Sequence, residues 1–278
     1  MGCLLGGSCM NRILSTFESL AEKQSGAYVP YICAGDPDKE FTIKLAHRLC
    51  RAGADVLEIG LPFSDPLADG PAIQEAMGRS LAAGFKVAHV FELISSLRED
   101  MDIPIVLMTY FNPVLHFGVA NFCERLASAG GDGILVVDLP IEESEELENA
   151  AKASNLDVIR LVAPTTDGTR LDLILSKASG FVYIVSVAGV TGARSTFANS
   201  AANIVKQVSA RTKLPSVIGF GISRPEHVRQ ALATGASGVV EGSALVSKYS
   251  DLLGSREDAL EIVEQHAREM KSATHKSA

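Results

Sequence analysis

The chain has 278 residues, 47% hydrophobic and 21% charged, an ordinary globular composition with enough length for an ample core in one large domain or two small ones. Its formal net charge of -8, with no basic stripe, argues against a nucleic-acid partner but not against a small phosphorylated ligand held by backbone amides. No apolar run approaches the ~20 residues of a membrane helix, so no membrane partner is expected.

Residues 1–10, MGCLLGGSCM, lack the charged start and the length of a signal peptide, and Gly6 fails a myristoylation motif. They read as a disordered extension, with Met10 a candidate functional start. A helix follows at once, because Ile13, Phe17, Leu20 and Ala21 recur at helical spacing. The five cysteines, Cys3, Cys9, Cys33, Cys50 and Cys123, are scattered and form no CxxC pair. That suits neither a zinc site nor a disulfide framework, and it points to free thiols in a reducing, cytoplasmic setting.

Apolar runs then alternate with amphipathic stretches. The runs are 27–33, 55–60, 104–110, 133–140, 157–164, 181–189, 215–221 and 237–243. They are continuous rather than alternating, as in parallel strands covered on both faces. Between them lie helical patterns such as EFTIKLAHRLCRAG, where Phe41, Leu45 and Leu49 share a face. AGADVLEIG, AGGDGILVVD and TGASGVVEG echo one another: a helix closed by glycine, then a strand, then an acid near its tip. Eight such units over 11–270 fit a closed (β/α)8 barrel with an extra N-terminal helix. A doubly wound open sheet is the alternative, but the first strand runs into AGDPD rather than a GxGxxG turn. The polar end, residues 271–278, reads as a frayed tail.

In a barrel, chemistry belongs at the carboxyl ends of the strands, and the last two loops commonly hold phosphate. Those loops are GFGIS (219–223) and EGSALVSK (241–248); AGVTGAR (188–194) precedes them. Glycine lets backbone approach a ligand, and Gly242–Ser243 opens a helix whose free amides favour an anion. Glu58 lies inside the run DVLEIG, with Asp65 and Asp69 in the loop that follows. A carboxyl enclosed by apolar residues has its proton affinity raised toward neutrality, which suits a proton shuttle. A buried structural glutamate beside turn aspartates is the competing reading. No lysine falls at a predicted strand exit, so a Schiff base is not expected. Of the six histidines only His116 lies near one, which makes no metal site. What remains is acid/base catalysis by carboxylates, with Tyr110 and Tyr183 as nearby hydroxyls, on a substrate that supplies its own electron sink.

LEIGLPFSDPLADGP, MTYFNP, VVDLP, AGVTGAR, GFGIS and GSA, in that order, closely resemble the α subunit of tryptophan synthase, over residues 12–270. The resemblance implies a single TIM barrel that cleaves indole-3-glycerol phosphate into indole and glyceraldehyde 3-phosphate as the last stage of tryptophan biosynthesis. It implies no cofactor or metal in this chain. It makes Glu58 the principal acid/base, Asp69 the partner of the indole N–H, and Tyr183 a neighbour of the reacting chain. Gly192, Gly221, Gly242 and Ser243 would receive the phosphate. Thr191, on a flap, would approach Asp69, while Tyr31, Leu135 and Phe220 would wall the indole pocket, with Tyr110 close by. Some relatives carry Phe where Tyr31 stands, so a slightly more polar rim is expected. The resemblance further implies a pyridoxal-phosphate β subunit in an α2β2 complex, docked over the loops near Asp65 and Asn112–Pro113. A free-standing lyase, a non-catalytic regulatory phosphate-binding barrel and an isomerase of a related barrel are the alternatives.

Overall fold

The computed structural model describes residues 11–166, 168–185, 194–219 and 221–275, with backbone alone at 194–200. Nine strands lie among them: β1 Ala27–Cys33, β2 Leu57–Gly60, β3 Ile105–Thr109, β4 Gly133–Val136, β5 Asp157–Val158, β6 Arg160–Val162, β7 Val182–Val185, β8 Ser216–Gly219 and β9 Gly238–Glu241. Every pairing is parallel, in the order β5-β4-β3-β2-β1-β9-β8-β7-β6. The two ends of that order are consecutive in the chain. The fifth predicted run divides at Ile159: β5 bonds only β4, β6 bonds only β7, and the Ile159 N–H donates to Ile134 O at 2.9 Å. Nine segments therefore occupy eight barrel positions, and the ring is joined through the chain itself.

Strand periodicity explains why the runs are apolar throughout. Alternate residues face opposite sides. Ala27, Val29, Val56, Val106, Leu135 and Val217 belong to one buried cluster inside the ring. Their strand neighbours Tyr28, Leu57, Ile105, Leu107, Ile134 and Ile218 belong to another, packed beneath the helices. Neither face meets water, so neither tolerates polar alternation.

The N-terminal helix, Arg12–Glu22, starts where Asn11 accepts the Leu14 N–H at 3.0 Å. Its apolar stripe of Ile13, Phe17 and Leu20 joins the inner cluster, with Phe17 and Phe181 ring centroids 5.8 Å apart. The helix thus closes the amino-terminal end of the barrel. Side-chain bonds fix it there: Asn11 Nδ2 donates to Asp157 at 2.7 Å and Arg12 to Asp132 at 2.9 Å.

The internal echo has a conformational cause. Gly53, Gly130 and Gly235 each follow a helix, with φ of +101°, +95° and +94°, where a β-carbon is strained. One boundary needs correction. The helix Arg256–Ser272 passes the expected end of the barrel at 270, and the chain stays pinned to His275. Lys271 donates to Asp55 at 2.7 Å, and the fully buried Thr274 lies 3.2 Å from Ser25 by hydroxyl oxygens. Polar composition suggested fraying; buried partners prevent it. Residues 1–10 and 276–278 lie outside the described residues. No single described helix is long and apolar enough to cross a membrane.

Ile13 is fully buried in the plug. Ile13→Ala should cost about 2–4 kcal/mol in chemical denaturation; a loss below about 1 kcal/mol would show that the helix does not seal the barrel.

Candidate active site

At the carboxyl ends of the strands lies a cavity of about 210 Å³. Its acidic wall is Glu58 and Asp69, and its hydroxyl groups include Tyr31 and Tyr183. Gly221, Gly242 and Ser243 line it too, and apolar surface comes from Ile73, Met108, Ile222 and Val240. Inward parity selects the strand residues. Glu58 stands in register with Tyr31 on β1 and with Val106 on β3, and its own neighbours Leu57 and Ile59 face outward.

Glu58 is 2% exposed, and its Oε1 has no hydrogen-bond partner among the described residues. Burial, then the charge of Asp69, pushes its carboxyl up to about 8. A second strand glutamate shows that the pattern is not generic. Glu241 on β9, on the other side of β1, is completely buried and faces outward. One of its oxygens accepts from Tyr28 Oη at 2.7 Å, and the other lies 2.7 Å from His266 Nε2. The same residue type is saturated on the helix side and bare on the cavity side.

Asp69 is held by its neighbours. Tyr110 Oη donates to Asp69 Oδ2 at 2.6 Å and accepts the Ala68 N–H at 2.9 Å. Burial raises the Asp69 carboxyl more than the Tyr110 bond lowers it. Tyr110 therefore acts from behind Asp69 rather than from the cavity wall. Asp65 is exposed and accepts from Ser64 Oγ at 2.7 Å, so only two of the three acids meet the cavity.

Another part of the lining suits an anion, and it adjoins the acids: a β-carbon on Gly70 would lie 4.0 Å from Ser243 Oγ. Gly242 precedes the helix Ser243–Ser250, and the first amides of a helix have no acceptor within it. Gly221 sits at φ +75°, a region that favours glycine. The helix is fixed from below. Tyr249 Oη donates to Asp36 Oδ2 at 2.8 Å, Arg79 donates to both Asp36 oxygens at 2.8 and 2.9 Å, and Arg79 reaches Ser250 Oγ at 2.8 Å.

Two strand-tip glycines make room for the tyrosines. A β-carbon on Gly60 would overlap the Tyr31 hydroxyl, and one on Gly219 the Tyr183 hydroxyl. Leu135 lies deeper, in the inner cluster, and does not line the cavity. Thr191, Gly192 and Phe220 lie outside the described residues. Ile73, Met108 and Val240 line the cavity and were not singled out from sequence, whereas Ile222 and Ser223, which also line it, belong to the GFGIS loop. Counting by twos from Val106 leads to Met108; Ile73, in a helix start after DGP, carries no such signal. His116 is exposed, and among the described residues no three of His, Cys, Asp and Glu gather as a metal set.

The folded chain keeps the Glu58 proton to about pH 8, whereas an ordinary glutamate releases it near 4.5. The folded state therefore binds more protons across that window, and rising pH draws the protein toward unfolding. Glutamine at 58 does not titrate. The stability of Glu58→Gln relative to wild type should rise by on the order of a few kcal/mol between about pH 5 and about pH 8.5. Denaturation curves giving a flat difference would exclude the perturbed carboxyl.

Residues 17–275 match the family model described as tryptophan synthase alpha chain. The chain is 49% identical over 245 residues to the tryptophan synthase alpha chain of Gluconacetobacter diazotrophicus, covering 88% of this chain and 89% of that one. Its fold is similar to the crystal structure of tryptophan synthase subunit alpha from Legionella pneumophila, with TM-score 0.88, 36% identity, and coverage of 96% and 99%. It is also similar to a chain of the a2b2 tryptophan synthase complex from Pyrococcus furiosus, with TM-score 0.83, 40% identity, and coverage of 90% and 99%.

Proposed function

The chain belongs to the tryptophan synthase alpha chain family, and from that membership we propose that it is a carbon–carbon lyase acting on indole-3-glycerol phosphate. The observation that carries this reading is Glu58: a buried carboxyl, protonated to about pH 8, without a partner on one oxygen, in one cavity with Asp69 and the start of the Ser243 helix.

Glu58 delivers its proton to indole C3, which turns the ring into an iminium-like electron sink. Asp69 accepts the indole N–H and stabilises the positive charge that protonation creates. The chain hydroxyl next to the ring then loses its proton to the Glu58 carboxylate. The O–H electron pair becomes the aldehyde C=O, and the C–C pair returns to the ring as free indole. Glyceraldehyde 3-phosphate leaves, and Glu58 ends protonated, so protons and electrons balance. Tyr183 lies beside the reacting chain. The phosphate is received by Gly192, Gly221, Gly242 and Ser243, mainly through backbone amides. Ile73, Met108 and Val240 supply apolar surface for the ring. A carboxyl that must give and then take one proton works best with an affinity near the operating pH.

A β subunit is the proposed partner, and pyridoxal phosphate belongs to that partner. The loop after β2 supports a docking role: Asp65 is exposed, and Leu67 is 93% exposed although apolar. Asn112 is exposed and Pro113 buried in the first turn of the helix Phe111–Phe117, so the second segment, a helix start rather than a loop, offers its polar residue. Metabolism of this kind suits a cytoplasmic protein.

Glu58→Gln should lower indole release by about 100- to 10,000-fold while binding of glycerol 3-phosphate persists. Wild-type turnover should fall as pH rises through about 8, where the acid form is lost. Full turnover in the glutamine variant would remove Glu58 from this role. Assays with and without added β subunit test the partnership, which predicts faster indole release in the complex.

A further inference from the structure

Among the described residues, two buried side-chain polar atoms have no hydrogen-bond partner, and both belong to residues of the same cavity: Oε1 of Glu58 and the hydroxyl of Tyr31. The chemistry above employs the first and leaves the second idle. A buried hydroxyl without a partner is destabilising, and native proteins keep few of them.

Tyr31 is 1% exposed. It points inward from β1, two residues beyond Val29. Its side chain spans the two ends of the site. Its Cβ lies against Gly242, at the anion wall, and its hydroxyl lies over Gly60, two residues past Glu58. Any residue but glycine at 60 would evict that hydroxyl. Asp69 and Glu58 both act on it electrostatically. Burial holds the phenol far above its ordinary titration range, so it is a neutral O–H donor in need of an acceptor.

The substrate offers few acceptors. The indole nitrogen carries a hydrogen and is a donor. The phosphate belongs at the Gly221, Gly242 and Ser243 wall. The remaining acceptors are the hydroxyl oxygens of the three-carbon chain, which must run between that wall and the carboxyls, the path Tyr31 spans.

We propose that Tyr31 is a specificity-determining residue whose hydroxyl donates to a hydroxyl oxygen of the substrate's three-carbon chain, selecting a hydroxylated chain over a plain alkyl one. This assignment rests on the substrate reading given above.

The test compares wild type with Tyr31→Phe, using indole-3-glycerol phosphate and its chain-deoxy analogue, indole-3-propanol phosphate. The variant should raise KM for the hydroxylated substrate about fivefold, the worth of one neutral hydrogen bond. Its Kd for the deoxy analogue should stay within about twofold of wild type, since that ligand has no acceptor to lose. Its melting temperature should match or exceed the wild-type value, because an unsatisfied hydroxyl has been removed. A wild-type chain that binds both ligands, with a variant that weakens both equally or neither, overturns the role of Tyr31 alone. A lowered melting temperature with parallel losses assigns the hydroxyl to structure and also overturns it. A wild-type chain that binds neither ligand overturns the substrate reading, and this assignment with it.

Discussion

The cost of keeping a carboxyl dry governs this molecule's active end. Glu58 sits on a short strand whose neighbouring residues all seek apolar surroundings, and one of its oxygens meets nothing. Such a group survives in a folded protein only if the rest of the barrel is stable enough to hold it. The sealed amino-terminal end, the doubly covered sheet and the pinned final helix supply that stability away from the cavity. Glu241 shows the alternative the fold readily provides: a carboxylate of equal burial with both oxygens engaged. The difference between the two lies in which face of the sheet each occupies, and therefore in parity along the strand.

Much of the architecture was legible because its cause is local. Continuous apolar runs separated by amphipathic segments report two covered faces, and glycine after each of three helices reports a left-handed backbone position. Glu58 and Asp69 were legible because acids are conspicuous in and just beyond an apolar strand. The division of the fifth strand at Ile159 was not, since DVIRLVAP reads as one extended run and only its two different neighbours divide it. The tail from 271 to 275 was misread for a similar reason: Lys271, Thr274 and His275 are polar, but their partners Asp55 and Ser25 are about 220 or more residues earlier in the chain. Within the site, parity along β3 leads to Met108, while nothing in the local pattern distinguishes Ile73 from ordinary core.

The proposed anion wall rests on contacts outside the cavity. Asp36, Arg79, Tyr249 and Ser250 join the loop after β1, the helix Pro71–Ala82 and the helix Ser243–Ser250 into one partly buried network. The helix Pro71–Ala82 begins directly after the Asp69 loop. One ionic cluster therefore sets the separation between the carboxyl that accepts from Tyr110 and the amides at the helix start. Preorganisation of this kind avoids rearrangement when charge develops, which is where much catalytic advantage arises.

The glycines at the tips of β2 and β8 tie the history of this protein to the order in which changes occur. Each bare α-carbon is matched to one phenol lying across it: Gly60 to Tyr31 and Gly219 to Tyr183. Bulk on the glycine is incompatible with the ring, yet a smaller residue in place of the ring frees the glycine to vary. A lineage can cross between the two arrangements only by shrinking the aromatic partner first or by passing through a clash. These sites should thus drift as linked couples, and a lesion at one member is open to repair at the other.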